Sequence, residues 1–456
     1  MPTRYKLVAL LTIGSMINFI DRVNISVAAP VIMPALGWDV SRFGVIFSAF
    51  LAGYTIFQFP GVVIADRWSA KKVVMLSCLG FSLFTALTPL GGLAFAIMLA
   101  IRFCVGMFES VSFPAYASIN SRWIPRQEYS RAQTISLSGS YLGQVIAYPL
   151  TTWIVSNFTW QSNFYFNALL GILWIIPFLV FATDDPSEHP AISRVELRQI
   201  EENRASRPGP TKSPWSVLRS RPVLLLSLSY LCLVYGVWMI ILWLPTYLVQ
   251  GRALSVQTMG WVGMIPTAAS FAGLVGGGFL SDFLLRRDFS MRFARAKGPA
   301  LCILLGVPFL VAAVLVPARS ISVACFAVYL FTINLSTGGY WSIPLELNPK
   351  LVGAISGTMT CAGNLGGVFG PISAGYLFKA TGNWALPFLV AAAFAFVAFL
   401  LLYFMVVPEP IAPEEVRMEP AAEEAHVSQP EEKQRWTITR SDPLESPRSA
   451  PRSTEV

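Results

Sequence analysis

The sequence is poor in charged residues and almost without histidine. Only 13% of its 456 residues are charged, whereas a soluble domain carries about 25%. The two histidines, His189 and His426, lie in polar segments outside the long apolar runs. A proton that moves through the apolar part of the chain would therefore have to be carried by carboxylates, because imidazole is missing there.

Cysteine clusters and the common catalytic motifs are also missing. The six cysteines are scattered singly without a C-x-x-C pair, so they are interpreted as small buried apolar side chains rather than as disulfides or metal ligands. The chain has no H-E-x-x-H, G-x-S-x-G or G-x-x-x-x-G-K-[ST] motif, which argues against a membrane enzyme. We therefore predict no enzymatic activity, no metal site and no cofactor.

What the sequence does contain is a series of long apolar runs. Hydrophobic residues make up 54% of the chain, and a run of about 20 residues crosses the roughly 30 Å of hydrocarbon in a bilayer. The backbone of such runs must be helical, because the bilayer offers no water to an open sheet. We predict an all-α membrane protein with twelve transmembrane helices, at approximately 7–34, 43–64, 73–91, 93–115, 131–154, 163–182, 223–249, 260–284, 299–317, 321–343, 351–377 and 384–406.

Basic residues are concentrated on one side of these predicted spans. The loops of the other side hold only four of them, namely Arg42, Arg252, Arg319 and Lys379. The positive-inside rule then places both termini in the cytoplasm of a multi-pass protein of the cytoplasmic (inner) membrane. The net charge of +8 is explained by contact with anionic membrane lipid, and no nucleic-acid partner is needed. We expect no cleavable signal peptide, because the first apolar run contains charges and further spans follow.

The chain also contains an internal duplication. "VVIADRWSAKKVV" follows the second predicted span and "GGGFLSDFLLRRD" ends the eighth, and each has an Asp five positions before a basic residue. Such a repeat predicts two pseudo-symmetric six-helix halves, 1–182 and 223–406. The cytoplasmic loop 183–222 joins them, with a short surface helix at "RVELRQIEENR". The Glu- and Pro-rich segment 407–456 is predicted to be a disordered cytoplasmic tail.

Four charged residues interrupt the predicted spans, Asp21 and Arg22 in the first and Arg102 and Glu109 in the fourth. Each costs about 2.5–3.5 kcal/mol on an insertion scale if it faces lipid. Their formal charges cancel, so a shared wet cavity would accommodate them. The alternative is that they form ion pairs that only lock the helices together, but buried pairs are weak stabilisers.

Spacing gives these four residues distinct directions. Neighbouring Asp21 and Arg22 point about 100° apart on a helix, so they cannot both occupy one narrow face. Arg102 and Glu109 lie two turns apart on one face, about 10 Å along the axis. Their helix therefore offers a cationic group and an acid at different depths.

The motifs that carry these charges resemble those of a known family. They include "DRVNISVAAP" in span one, "RFCVGMFESVSFPA" in span four and "GNLGGVFGPISAGY" in span eleven. The chain resembles the anion:cation symporter family of the major facilitator superfamily, which includes galactonate, glucarate and hexuronate transporters. The resemblance covers nearly the whole membrane portion. It implies the superfamily fold, a monomer, and secondary transport of an organic acid anion by alternating access.

Together, the charges and the resemblance predict proton-coupled import of an organic anion such as a sugar acid. Arginine presents a planar fork that suits a carboxylate, and we expect Arg22 and Arg102 to hold the anion. We expect Asp21 and Glu109 to couple protons, because their protonation frees the arginines. Four alternatives remain open. They are an organic-anion exchanger, a drug effluxer, an importer of a smaller or aromatic carboxylate of the tartrate, tetronate or phthalate type, and a substrate sensor without coupling.

Further substrate-binding residues are implied by the resemblance. Tyr54 and Trp341 match a family tyrosine in span two and a family tryptophan in span ten, although membrane aromatics often serve packing instead. Asn364 stands among glycines in span eleven, where it serves either the substrate or helix packing. Ser140 and Thr360 replace a glutamine and an asparagine of the family pattern, and Phe19 replaces a tyrosine. These replacements favour a smaller or less hydroxylated acid.

The duplicated Asp-basic pairs are assigned to gating by their resemblance to the superfamily loop. Asp66 with Lys71 and Asp282 with Arg287 would pair charges near the cytoplasmic helix ends and hold the gate. The first loop departs from the usual pattern at Val62, Ser69 and Ala70. The alternative is that these charges act only as a topology signal.

Overall fold

The computed structural model describes residues 2–203, 220–349 and 351–408, and its regular elements there are all helices. The prediction of an all-α membrane fold is therefore confirmed. The predicted disordered tail, apart from its first two residues, and residues 204–219 of the central loop lie outside the described residues. The fifteen α-helices are α1 Thr3–Leu36, α2 Val40–Arg67, α3 Ala70–Leu87, α4 Phe95–Glu109, α5 Ser112–Trp123, α6 Tyr129–Asn157, α7 Trp160–Phe181, α8 Arg194–Glu202, α9 Arg221–Thr246, α10 Val256–Val262, α11 Met264–Arg286, α12 Gly298–Leu315, α13 Arg319–Leu347, α14 Val352–Thr381 and α15 Ala385–Leu400.

Ten helical segments in the described part of the chain are long and apolar enough to cross a membrane. The other two predicted spans correspond to α6 and α14, which are as long, at 29 and 30 residues, but are less apolar. Both helices pack between neighbours rather than against lipid alone, α6 against α1 and α11, and α14 against α9 and α2. Small and polar residues are favoured in such positions because they allow close helix contact.

Two predicted spans are not continuous helices. The fourth, predicted at 93–115, consists of α4 and α5, which are separated at Ser110 and Val111 and continue to Trp123. The eighth, predicted at 260–284, consists of α10 and α11 and begins earlier, at Val256. The break after α4 leaves Glu109 as the last residue of its helix.

The two halves contact each other mainly toward one end of the bundle. We call the end where α1 begins and α8 lies the basic face, and the other end the opposite face. Near the opposite face α2 and α14 run side by side, and a Cβ on Gly44 would lie 2.6 Å from the Pro371 carbonyl oxygen. Glycine is required for this approach. Ser48 Oγ donates to the Val368 carbonyl at 2.6 Å along the same seam.

A second seam and a central contact complete the closure at the opposite face. The first turns of α10 pack against the last turns of α6, with Gly260 against Thr152. Between α1 and α9, Ser26 Oγ donates to the Ile241 carbonyl at 3.1 Å. The bundle is therefore closed at the opposite face.

The predicted short helix of the central loop is confirmed as α8, and it is joined to the first half. The Glu196 carboxylate accepts the backbone N–H groups of Thr3 and Arg4 at 3.1 and 3.0 Å. These are donors that the first turn of a helix cannot satisfy internally. Arg4 also pairs with Glu128 at 3.1 Å. The start of α1, the start of α6 and α8 are thus held together at the basic face.

Candidate functional site

The four charged residues that interrupt the spans form one buried cluster inside the first half. Asp21, Arg22, Arg102 and Glu109 are each at most 3% exposed. On α1, Asp21 faces α3, while Arg22 extends toward α4 and α2. The helical spacing predicted this divergence between neighbouring residues. The helix break after α4 positions Glu109 at the end of its helix, opposite the middle of α1.

Arg22 and Glu109 form a direct ion pair. Arg22 Nε donates to Glu109 Oε2 at 3.0 Å, and its Nη2 lies 2.9 Å from the same oxygen. Arg22 Nη2 also donates to Asn18 Oδ1 at 3.3 Å. The second carboxylate oxygen of Glu109, Oε1, is buried without a hydrogen-bond partner among the described residues. The pair is therefore fixed through one oxygen, and a change in the state of Glu109 acts directly on Arg22.

Arg102 is the less satisfied of the two arginines. Its charge interacts with Asp21 and Glu109, and its guanidinium carbon lies 5.0 Å from the Phe50 ring centre. Its Nε and Nη1 groups are buried and have no hydrogen-bond partner in the described part of the chain. Buried donors without partners are costly, particularly on a charged group. Arg102 therefore retains donors that a carboxylate could accept.

Asp21 is held by two neutral donors. Thr85 Oγ1 on α3 donates to Asp21 Oδ2 at 2.7 Å, and Asn24 Nδ2 donates to Asp21 Oδ1 at 3.1 Å. No described ion pair within 4.0 Å includes Asp21, although the charge of Arg102 acts on it from a greater distance. Both oxygens of this carboxylate are therefore occupied by hydrogen bonds from uncharged groups.

Aromatic rings enclose the Arg22 guanidinium. Its central carbon lies 4.5 Å from the ring centre of Phe19 and 4.6 Å from that of Tyr54. Trp238, which belongs to α9 of the second half, lies 5.8 Å away. Such cation–π contacts stabilise a desolvated guanidinium. Arg22 therefore lies beside aromatic rings of both halves. A movement of one half relative to the other would change the surroundings of its guanidinium group.

Of the other predicted substrate residues, only some lie near this cluster. Tyr54 is beside Arg22, and Ser140 is buried on α6 with its hydroxyl unpartnered among the described residues. Asn364 Nδ2 donates across the halves to Gln58 Oε1, one turn beyond Tyr54 on α2. Trp341 is half exposed and meets the Tyr230 ring edge-on, with 6.5 Å between the ring centres. Thr360 donates to its own helix, at the Ser356 carbonyl.

The predicted gating residues are described only in part, since the side chains of Asp66 and Asp282 lie outside the described residues. Lys71 Nζ donates to the Leu179 carbonyl at 2.8 Å. The guanidinium carbon of Arg287 lies 5.3 Å from the Phe283 ring centre. The gating role of these four residues stays a prediction.

Several residues of this arrangement were missed by sequence reasoning. Asp184, after α7, accepts hydrogen bonds from Ser69 Oγ and from the Lys71 backbone N–H, and it lies 3.6 Å from Arg122. Thr85 and Trp238 lie in apolar runs where a single polar or aromatic residue gives no signal. Their importance depends on which helix each one faces, and only the fold supplies that information.

The cluster has the chemistry of an anion site with internal counter-ions. It contains two guanidinium groups and two carboxylates, so its formal charge is zero when all four are ionised. An entering carboxylate would compete with Glu109 for Arg22 and would find unpartnered donors on Arg102. No group of three or more His, Cys, Asp or Glu that could hold a metal occurs among the described residues.

Comparison with known proteins gives one family and many relatives. The family model described as "Major Facilitator Superfamily" matches residues 11–362 and 343–445. The probable galactarate/D-glucarate transporter of Escherichia coli is 32% identical over 88% of this chain and 93% of its own length. The probable sulfoacetate transporter of Cupriavidus necator is 30% identical over 88% of this chain and 94% of its own.

Solved structures agree on the fold. A bacterial homologue of the human lysosomal transporter Spinster, in an inward-facing and occupied conformation, matches with a TM-score of 0.74 at 17% identity, over 89% of this chain and 97% of that one. The inward-open xylose transporter XylE from E. coli matches with a TM-score of 0.70 at 14% identity, over 89% and 96% of the two chains.

Proposed function

Because the chain belongs to the Major Facilitator Superfamily and is thus an integral multi-pass membrane protein rather than an enzyme, we propose that it imports a small organic anion together with protons. The observation that carries this proposal is the buried Arg22–Glu109 pair. Beside it, Arg102 keeps donors that have no partner among the described residues. One arginine is thus reversibly occupied by an internal carboxylate, and the other is available to a carboxylate from outside.

Competition for Arg22 provides the coupling. While Glu109 is ionised, it occupies Arg22 and repels an approaching anion. Protonation of Glu109 removes its charge and weakens its hold on the guanidinium, so the substrate carboxylate can take its place. Proton and anion then favour each other's binding, and by linkage the effect is reciprocal.

Asp21 supplies the second proton-coupling group in this mechanism. It is the other carboxylate whose charge interacts with Arg102, so its protonation would leave Arg102 less compensated and more attractive to an anion. With two protons for each monovalent anion, one net positive charge enters per cycle. The membrane potential then contributes roughly 2.3 kcal/mol per 100 mV.

In the proposed mechanism the inward proton gradient sets the direction of transport, and the closed seam indicates which face a bound anion would leave by in this conformation. The seam at Gly44 and Pro371 closes the opposite face, so a bound anion would leave toward the basic face. We place the basic face and both termini in the cytoplasm, in the cytoplasmic (inner) membrane, because basic residues favour that side. The chain is proposed to work as a monomer among anionic lipids, driven by the proton gradient and without a cofactor.

The proposed substrate class is a sugar acid, such as a hexonate, hexarate or hexuronate. It is supported by the relatives named for galactarate, D-glucarate and hexuronate, at 32% and 29% identity. A smaller acid is the second candidate, because the sulfoacetate relative is equally similar and because Phe19, Ser140 and Thr360 depart from the sugar-acid pattern. Exchange of one anion for another is the alternative transport mode.

Uptake into proteoliposomes tests the proposal. A panel of labelled acids would include galactonate, glucarate, glucuronate, tartrate, a four-carbon hydroxy acid and phthalate. Each acid would be measured with the outside acidified and with equal pH on both sides. We expect one acid, or one close group of acids, to accumulate above its outside concentration only with the inward proton gradient.

The other outcomes separate the alternatives. Uptake that is independent of the gradient but stimulated by internal anion would establish an exchanger and contradict proton coupling. Accumulation of phthalate or tartrate without glucarate would keep proton coupling and replace the sugar acid by a smaller or aromatic carboxylate. Absence of flux for every acid with folded protein would contradict the proposed substrate class.

A further inference from the structure

A hydroxyl group on a third helix contacts the proton-coupling carboxylate of α1. Thr85 on α3 is fully buried, and its Oγ1 donates to Asp21 Oδ2 at 2.7 Å. Thr85 bears no charge, lies on neither α1 nor α4, and takes no part in the mechanism described above. Its hydroxyl supplies one of the two hydrogen bonds that hold the Asp21 carboxylate.

The surroundings of Asp21 make this hydrogen bond important. Asn24 on α1 supplies the other donor at 3.1 Å. From α4, Arg102 and Glu109 act on Asp21, and from α3 the Cys78 thiol is also within electrostatic reach. The neighbouring Arg22 is engaged with Glu109. Asp21 therefore has no ion-pair partner within 4.0 Å among the described residues, and the two neutral donors stabilise its charge together with the more distant Arg102.

A donor of this kind acts on the two protonation states unequally. A hydrogen bond to an ionised acceptor is about twice as strong as one between neutral groups. Loss of the Thr85 hydroxyl would therefore destabilise ionised Asp21 more than protonated Asp21. The carboxylate would bind its proton more tightly, and it would release the proton only at higher pH.

We propose that Thr85 is a positioning residue that sets the pH range of transport by stabilising the ionised form of Asp21. This inference depends on the proposed proton coupling and adds a third helix to it. Because α3 packs on α4 and α7 of the same half, a movement that separates Thr85 from Asp21 would favour proton uptake, and re-formation of the hydrogen bond would favour proton release.

The test is the pH profile of uptake by the Thr85→Val variant. Valine has nearly the shape of threonine without the hydroxyl. Using the acid that the wild type accumulates, initial rates would be measured over a range of outside pH with the inside fixed. We expect the pH of half-maximal uptake to rise by about one unit, which is a tenfold change in proton affinity. Thr85→Ser, which keeps the donor, should restore the wild-type profile.

A matched control lies one turn further along the chain. Thr88 is also fully buried, but its Oγ1 donates to the Phe84 carbonyl, so Thr88→Val should leave the pH profile unchanged. Should Thr85→Val fail to fold, Asn24→Leu removes the other donor to Asp21 and is expected to shift the profile in the same direction.

The outcomes distinguish this inference from the proposed function. If the wild type shows proton-driven uptake and the Thr85→Val profile coincides with it, the inference is overturned while symport stands. If the Thr88→Val control shifts equally, the effect is general packing and the inference is overturned. If the wild type shows no dependence on the proton gradient, both the proposed function and this inference are overturned.

Discussion

At the scale of single residues, the central feature is that a carboxylate and two aromatic rings contact the Arg22 guanidinium together. Glu109 neutralises it at 2.9 Å, and the rings of Phe19 and Tyr54 cover it. A fully buried arginine with one carboxylate partner is stable only while that carboxylate remains ionised. In the proposed mechanism, the protonation state of Glu109 therefore determines whether Arg22 can accept a substrate.

Replacement of Glu109 by glutamine tests this relation. A glutamine side chain cannot be ionised and cannot carry the coupled proton, so we expect Glu109→Gln to lose proton-driven accumulation while still exchanging labelled for unlabelled substrate. Both activities would be measured in proteoliposomes. Glu201→Gln, on the exposed side of α8, should behave like the wild type. Loss of exchange as well as accumulation in a folded variant would assign Glu109 to binding instead of coupling.

Arg102 is predicted to be a binding residue whose geometry matters as much as its charge. Arg102→Lys keeps a positive charge near Asp21 but removes the planar fork. We expect the KM for substrate to rise about tenfold or more with the protein still folded, because a charge-assisted hydrogen bond is lost. Initial uptake rates at several substrate concentrations would measure this, and an unchanged KM would contradict a direct contact with the anion.

At the scale of helices, the helical class of the elements was predictable, but their interruptions were not. Apolar length marks where helices lie, and ten of the twelve predicted spans correspond to segments in the described part of the chain that are long and apolar enough to cross a membrane. Apolar length alone could not reveal the break between α4 and α5, although Pro114, which lies in the first turn of α5, is a local signal of a helix start in "FESVSFPA". The four charges were found from their cost in lipid, whereas Thr85 and Asp184 required knowledge of which helices are neighbours.

The approach of α4 to α2 provides a prediction at this scale. A Cβ on Gly106 would overlap the Phe50 carbonyl oxygen, and Gly106 lies between Arg102 and Glu109. We expect Gly106→Ala to push α4 away from α2, reduce transport strongly and destabilise the protein by roughly 1–3 kcal/mol. Uptake and thermal unfolding in detergent would be compared.

The same substitution at an open position is the control. A Cβ on Gly278 of α11 would have no heavy atom within 4 Å outside its own helix, so Gly278→Ala should leave transport intact. It should also stabilise the helix slightly, by about 0.5–1 kcal/mol. Normal transport by Gly106→Ala would show that α4 and α2 can separate without disturbing the charged cluster.

At the scale of the whole molecule, transport requires that the seam at the opposite face opens. Asp39 caps α2 in the first half, and its carboxylate lies 2.8 Å from Lys379 Nζ at the end of α14 in the second half. Both side chains also line a cleft of about 460 Å³ at this face. This ion pair joins the two halves and must break when they separate there.

The pair is expected to survive an acidic exterior. The hydrogen bond from Lys379 lowers the pKa of Asp39 from 3.8 to about 2. Because the folded pKa is depressed, the contribution of Asp39 to the closed form is complete above about pH 4 and disappears only as the pH falls through about 2. An outside pH above about 4 therefore leaves this pair ionised, so the proposed proton coupling would act on the buried cluster and not on this pair.

Removal of the Asp39–Lys379 pair should modestly increase the population of the conformation that is open at the opposite face. Lys379 and Asp39 are 58% and 43% exposed, so solvent screening limits the pair to about 1 kcal/mol or less, up to roughly a fivefold change in populations. We expect Lys379→Gln to increase maleimide labelling, from the opposite face, of a Ser48→Cys reporter in a background without the six native cysteines. The charge-swapped pair Asp39→Lys with Lys379→Asp rebuilds the attraction in reverse but removes the cap of α2, so it should restore the reporter's labelling only in part. Equal labelling with and without Lys379→Gln in the reporter background at low ionic strength would mean that the helix seam alone, at Gly44 and Pro371, keeps the opposite face closed.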